Sequence, residues 1–217
     1  MDGICDAFGT LKQKASTMKQ LQESDDTILI AIIDETYQED ETSDDIEDRS
    51  EEYRLELERQ FGAPFQEGDI GPSASIPAFL TEILSTQIPL WSLLAGTFFL
   101  GKPINENLDA WKAIGKKIHS FFSKPVVLSR NGAAIIAVEA VFEYLGQTPR
   151  SIRLVSYRPE SMPDADSLGV MERDDHIAEA PDTLFIGFVQ HVFEIEADNK
   201  TFRVGVAGKE VEIILID

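Results

Sequence analysis

An apolar block, Ser75 to Phe122, constrains this chain more than any other stretch. It is too hydrophobic to leave in water and too interrupted to form one helix. It holds both tryptophans, Trp91 and Trp111, and is cut by Pro77, Pro89 and Pro103. Its longest uninterrupted run, Ile88 to Leu100, is thirteen residues and still contains Ser92, Gly96 and Thr97. A membrane span needs about 20 apolar residues, and extension backwards meets Glu82, Ser85, Thr86 and Gln87. The block therefore predicts two or three buried helices, the first around Pro77–Leu84. In the last, Ile104, Leu108, Trp111, Gly115, Ile118 and Phe122 recur at three and four, widened by Ile114 and Phe121. Glu106 and Asp109 fall early in it and Lys112, Lys116 and Lys117 late, the order a helix dipole favours.

These helices need a sheet to cover. Thr27 to Ile33 (TILIAII) is short, continuous and isoleucine-rich, the pattern of a strand buried on both faces. Lys124 to Arg130 reads as a second strand and Ser151 to Tyr157 as a third, with a helix over Ala133–Leu145 between them. Asn131 is the expected cap of that helix and Gly146 its stop. Strand, helix and strand at this spacing predict a right-handed βαβ unit. The C-terminal stretches Thr183–Ala197, Thr201–Val206 and Glu210–Ile216 alternate apolar and polar residues. With turns at Asp198-Asn199 and Ala207-Gly208-Lys209, they predict an antiparallel meander.

The expected fold class is α/β or α+β: a small mixed sheet from residues 27–33, 125–129 and 151–157, packed by several helices, with the meander at the C-terminus. The segments follow from this. Residues 1–24 form an amphipathic helix with Ile4, Phe8, Leu11, Ala15, Met18 and Leu21 on one stripe. Residues 25–157 form the core domain, 158–181 a polar linker and 182–217 the meander.

Charge narrows the partners. Asp and Glu total 39 against 19 Lys and Arg, a formal net charge of −20. Phosphate binders need the opposite sign, so nucleic acid and anionic membrane surfaces are not expected ligands. About half of this charge is local: eleven acidic residues lie between Asp34 and Glu52 against the single basic Arg49. Residues 37–50 carry little apolar surface beyond Ile46, and composition predicts a mobile, solvated loop. A helix with Tyr53, Leu57 and Phe61 on one face is expected to follow over Glu52–Phe61.

Familiar chemistries fit poorly. Gly96 to Lys102 matches phosphate-loop spacing until Pro103 stands where a magnesium-binding hydroxyl is required. The three histidines, His119, His176 and His191, lack zinc-site spacing, and the lone Cys5 has no basic neighbour to activate it. A single cysteine and the absence of a signal-like start fit a cytoplasmic protein. One catalytic arrangement stays open: Asp34 and Glu35 at the carboxyl end of the first strand, with Asp69 from the following loop, as a divalent-metal site.

The order of features from Ile28 to Phe122 resembles the effector-associated constant components of prokaryotic conflict systems. The resemblance rests on the opening strand, the acidic insertion and the helix YRLELERQFG (Tyr53–Gly62). After these come the loop EGDIGPSAS (Glu67–Ser75) and the expected helices around PAFLTEIL (Pro77–Leu84). It covers less than half the chain and implies an accessory, non-catalytic role, with no catalytic or cofactor residues to transfer. The polar excursion at 158–181 and the meander depart from that family.

The expectation is a non-enzymatic interaction or regulatory protein that needs no cofactor and binds a protein partner, basic in character, with homo-oligomerisation open. Its candidate partner-binding residues are Asp44, Asp45, Glu47 and Asp48 in the acidic run and Trp91, Phe98 and Phe99 in the apolar block. The alternative is the metal-dependent enzyme using Asp34, Glu35 and Asp69.

Overall fold

A computed structural model describes residues 27–34, 43–68, 78–84, 91–161 and 189–216. The expected N-terminal helix and most of the 158–181 linker lie outside them. Two four-stranded sheets enclose one apolar core. The first has the order β2-β3-β1-β4, from β1 (Thr27–Ile33), β2 (Gln66–Gly68), β3 (Ala78–Leu84) and β4 (Val126–Leu128). The second runs β5-β6-β7-β8, from β5 (Ile152–Ser161), β6 (Val189–Ala197), β7 (Lys200–Ala207) and β8 (Glu210–Leu215). All of these strand pairs are antiparallel. The described helices are α1 (Ser43–Phe61), α2 (Trp91–Phe99), α3 (Leu108–His119) and α4 (Arg130–Leu145). This is the α+β form of the expected class, with the C-terminal meander in place and β5 added to it.

Three expectations need correction. Ala78–Leu84 is a strand, not a helix. Its Ala, Leu and Glu favour a helix intrinsically, but β1 is buried on both faces and needs hydrogen-bonded neighbours on both edges. Pairing of Ile32 with Phe79 and Ile30 with Thr81 meets that need on one edge, and tertiary pairing overrides local propensity. The βαβ unit is also absent. β4 lies antiparallel to β1 and β5 lies in the other sheet, so α4 bridges two sheets instead of crossing over within one. Finally, residues 43–50 of the expected acidic loop are the first two turns of α1.

α4 explains why a helix can be apolar almost all round. Asn131 through Val138 are buried without a break, as are Val141 and Phe142. The helix packs on β1 on one side, on β6, β7 and β8 on another, and on α3. Its cap is Ser129, not Asn131: Ser129 Oγ accepts from Gly132 N at 3.5 Å and from Leu29 N at 3.1 Å. Asn131 instead donates from Nδ2 to the Thr27 carbonyl at 2.6 Å, tying the helix start to β1. Gly146 ends the helix in the left-handed region, at φ 67°.

α3 follows its expected stripe, with Leu108, Trp111, Ile114, Gly115 and Ile118 buried. One apolar cluster runs through both sheets, from Ile28, Ile30 and Ile32 through Trp111 and the α4 residues to Phe193, Ile195, Phe202 and Val204. No helix among the described residues is long and apolar enough to cross a membrane. Gly96 to Phe99 are helical within α2, so the phosphate-loop spacing there is a coincidence of helix residues.

Candidate functional site

Of the acidic run that composition assigned to a loop, residues 37–42 lie outside the described residues and residues 43–50 belong to a helix seated against the first sheet. Tyr53 and Leu57 fix α1 there, both buried, with the Tyr53 ring edge-on to Phe79 of β3 at 5.5 Å. Acidic residues in the first turns also suit the positive end of the helix dipole, one reason an otherwise polar segment orders.

Beside this contact lies a cleft of about 340 Å³, lined by Asp48, Ser50, Glu51 and Arg54 of α1, Glu67 of β2 and Phe79 of β3. The cation in its wall is already committed. Arg54 donates from Nε and Nη2 to both oxygens of Glu51, at 2.9 and 2.6 Å, and from Nη1 to Glu58 at 2.6 Å. The hydrogen bond from Arg54 holds the Glu51 carboxyl below its ordinary range. Ser50 is the unusual member: it is buried, and its hydroxyl has no hydrogen-bond partner among the described residues. The charge the cleft offers is that of three carboxylates and one committed guanidinium, since Phe79 is only 1% exposed and the Ser50 hydroxyl is itself buried.

The residues expected from the sequence fall as follows. Asp34 caps β1 and is buried, while Glu35 and Asp69 lie outside the described residues. Among the described residues no three His, Cys, Asp or Glu side chains gather as a metal would require. Asp44, Asp45 and Glu47 lie in the first turns of α1 and Asp48 is exposed there. Trp91 opens α2, and its side chain is outside the description. Phe98 is fully buried, edge-on to Trp111 at 5.3 Å, so it belongs to the core and leaves the partner surface. Phe99 is half-buried beneath the Arg130 guanidinium, 4.2 Å from its ring centroid.

A second titratable pair sits where α3 crosses α4. His119 Nε2 lies 3.0 Å from Glu139 Oε2, and the carboxylate reaches it because Gly115 beneath has no side chain: a Cβ there would fall on the Glu139 carboxyl. Burial raises the Glu139 carboxyl above its usual value, opposed by His119. The folded chain therefore holds this proton more firmly than the unfolded one, and the associated stability is lost as pH rises through the raised value. Glu139→Gln keeps a hydrogen-bonding atom facing His119 and removes the half-buried charge. It is expected to be more stable than the parent above neutral pH, on the order of 1 kcal/mol, with the advantage shrinking towards pH 4. Urea denaturation at pH 4 and pH 8 reads both values, and an equal difference at the two would refute the account.

Ser50, Glu67 and Phe79 were not singled out by sequence. Ser50 had a legible signal: it lies three residues before Tyr53 and seven before Leu57, so extending the helical phase back one turn puts it on the buried face. Glu67 and Phe79 had none, because their meeting with α1 depends on the β2–β3 pairing, in which they stand opposite each other. Searches of protein-family models, of curated proteins and of solved structures find no match to this chain.

Proposed function

We propose that this chain is a non-enzymatic interaction protein, an accessory component of a bacterial conflict system acting in the cytoplasm through contacts with a basic protein partner. The observation that carries the reading is the presentation of the acidic run. Asp44, Asp45, Glu47 and Asp48 lie in the first turns of a helix that Tyr53 and Leu57 hold to the first sheet, with Asp48 exposed, so the charge they carry is borne on one docked element. The net charge of −20 supports a basic partner over nucleic acid. The conflict-system assignment is supported by the resemblance of the Ile28–Phe122 segment order alone.

Exposed charges of this kind set encounter rate and salt dependence more than contact energy. The protein is expected to capture a basic partner encoded beside it. A variant carrying Asp44→Asn, Asp45→Asn, Glu47→Gln and Asp48→Asn is expected to lose at least tenfold in association rate at low salt with an unchanged fold. Surface-based kinetics with the co-purified partner, at low and high salt, reads this. Unchanged kinetics would remove the helix from the account.

A further inference from the structure

The second sheet ends on an edge that no strand among the described residues covers. Open edges invite pairing with another chain, and proteins usually blunt them. The other edges here are blunted. β2 and β4 are three residues long, and the Gly208 turn closes on β4 at Val126. β5 carries a register shift between Leu154 and Ser156, contains Pro159 and is bridged at Ile152 by Ile104. β8 has six residues, no proline, no register shift and, among the described residues, no strand beyond β7.

Its pairing with β7 fixes which backbone groups are unused. Ala207 and Glu210 close a tight turn, and Ile216 N donates to the Thr201 carbonyl at 2.8 Å. The even-numbered residues therefore exchange hydrogen bonds with β7, and the N–H and C=O of Val211, Ile213 and Leu215 point to the open edge. The same three side chains continue the inner apolar layer, standing opposite Val206, Val204 and Phe202, which are fully buried. Yet Val211 is 37% and Leu215 45% exposed, and Ile214 on the outer face is 52% exposed.

We propose that β8 pairs antiparallel with β8 of a second copy of this chain, about a two-fold axis at Ile213. Self-complementarity selects that occupant. Centred on Ile213, the pairing sets Ile213 opposite its counterpart and Val211 opposite Leu215 of the other copy, so every free N–H and C=O of the three residues is used. Glu212 then faces Ile214, and Glu210 faces Ile216. Centring on Glu212 would set two glutamates opposite each other, which is destabilising. Centring on Ile214 would carry Val211 past the end of the other strand.

A single edge of this length falls short of the about 1,200–2,000 Å² that a standard stable interface buries. Each chain also carries a net charge of −20. The dimer is therefore expected to be micromolar and to tighten as salt screens the repulsion. Capture of a basic partner has the opposite salt dependence, so the two are told apart.

Sedimentation equilibrium of the full chain tests this. A monomer–dimer equilibrium is expected, several times tighter at about 0.5 M than at about 0.05 M sodium chloride. Val211→Pro removes an edge N–H and spares the bonds to β7, and is expected to weaken association at least tenfold. Ile214→Glu, at an exposed outer position, sets a carboxylate opposite Glu212 of the other copy and is expected to weaken it about fivefold. Ile214→Lys sets an ammonium there and is expected to tighten it, whereas an axis at Ile214 would bring the two lysines together. If Val211→Pro fails to fold, the Ile214 variants decide.

A chain that stays monomeric at about 200 μM in high salt overturns the proposal and leaves the edge to a strand from another protein. A dimer indifferent to both Ile214 substitutions, or one that loosens as salt rises, forms through another surface and overturns it too. Weakening by Ile214→Lys as well as by Ile214→Glu overturns the register.

Discussion

Gly208→Ala is expected to destabilise the protein by about 2–5 kcal/mol, against about 1–2 kcal/mol for Gly146→Ala. Both glycines occupy the left-handed region, at φ 57° and 67°, so both substitutions carry the same backbone cost and the same gain from a stiffer unfolded chain. Their surroundings differ. A Cβ at Gly146 would meet nothing within 4 Å, whereas one at Gly208 would stand 2.5 Å from the Val126 carbonyl oxygen. That oxygen belongs to β4, which is paired to β1 and cannot retreat as a flexible side chain would. The extra loss in Gly208→Ala therefore measures how closely the β7–β8 turn seats on the edge strand of the other sheet. Chemical denaturation of the two variants side by side checks it. Equal losses would mean that the turn is not seated there.

This seam is the part of the architecture that the sequence conveys least. The turn at Ala207-Gly208-Lys209 was legible from its glycine and the flanking alternation, and the amphipathic stripe of α3 from its spacing. Both are local patterns, readable because one short segment contains the whole signal. What lay on the other side of the turn depends on two strands about eighty residues apart. The same limit explains Ala78–Leu84: with Phe79 and Ala78 both buried on opposite faces, a two-sided strand shows no alternation, and only pairing with β1 distinguishes it from a helix. It also explains Ser129. Asn131 is as good a cap by type, but the position of the true cap was set by the Leu29 amide, one hundred residues earlier. At the candidate cleft, the acid was plain in the composition, and the burial of Ser50 was legible in the helical phase of Tyr53 and Leu57 carried back one turn, because α1 begins at Ser43 rather than Glu52. Composition read that acid as solvated loop because it weighs apolar content and is blind to the helix dipole and to docking at Tyr53 and Leu57.

The second tie across the seam is titratable. His191 of β6 is buried and bridges the sheets: Nε2 lies 3.1 Å from the Leu128 carbonyl of β4, and Nδ1 lies 3.0 Å from the Tyr157 hydroxyl. A carbonyl can only accept, so Nε2 carries the proton, and Nδ1 of the neutral ring accepts from Tyr157. Burial is the main cause that pushes this imidazole down to about 4, the Leu128 hydrogen bond opposing it and Arg130 adding to it. Between pH 4 and the ordinary value near 6.5 the unfolded chain takes up a proton that the folded chain refuses. The stability from His191 is therefore complete above about 6.5 and falls as the pH drops to about 4, by about 3 kcal/mol in all.

Other groups titrate in the same interval, including Glu139 with the opposite sign, so the parent alone cannot isolate the effect. His191→Gln can. Its amide is able to donate to Leu128 and accept from Tyr157, and it does not titrate. The stability of the parent minus that of His191→Gln cancels every shared group. It is expected to be flat above pH 7 and to fall by about 3 kcal/mol on going to pH 4. A difference that stays constant across the interval would mean that the imidazole does not hold the two sheets together in its neutral form, and would leave the Gly208 turn as the seam's one tested contact.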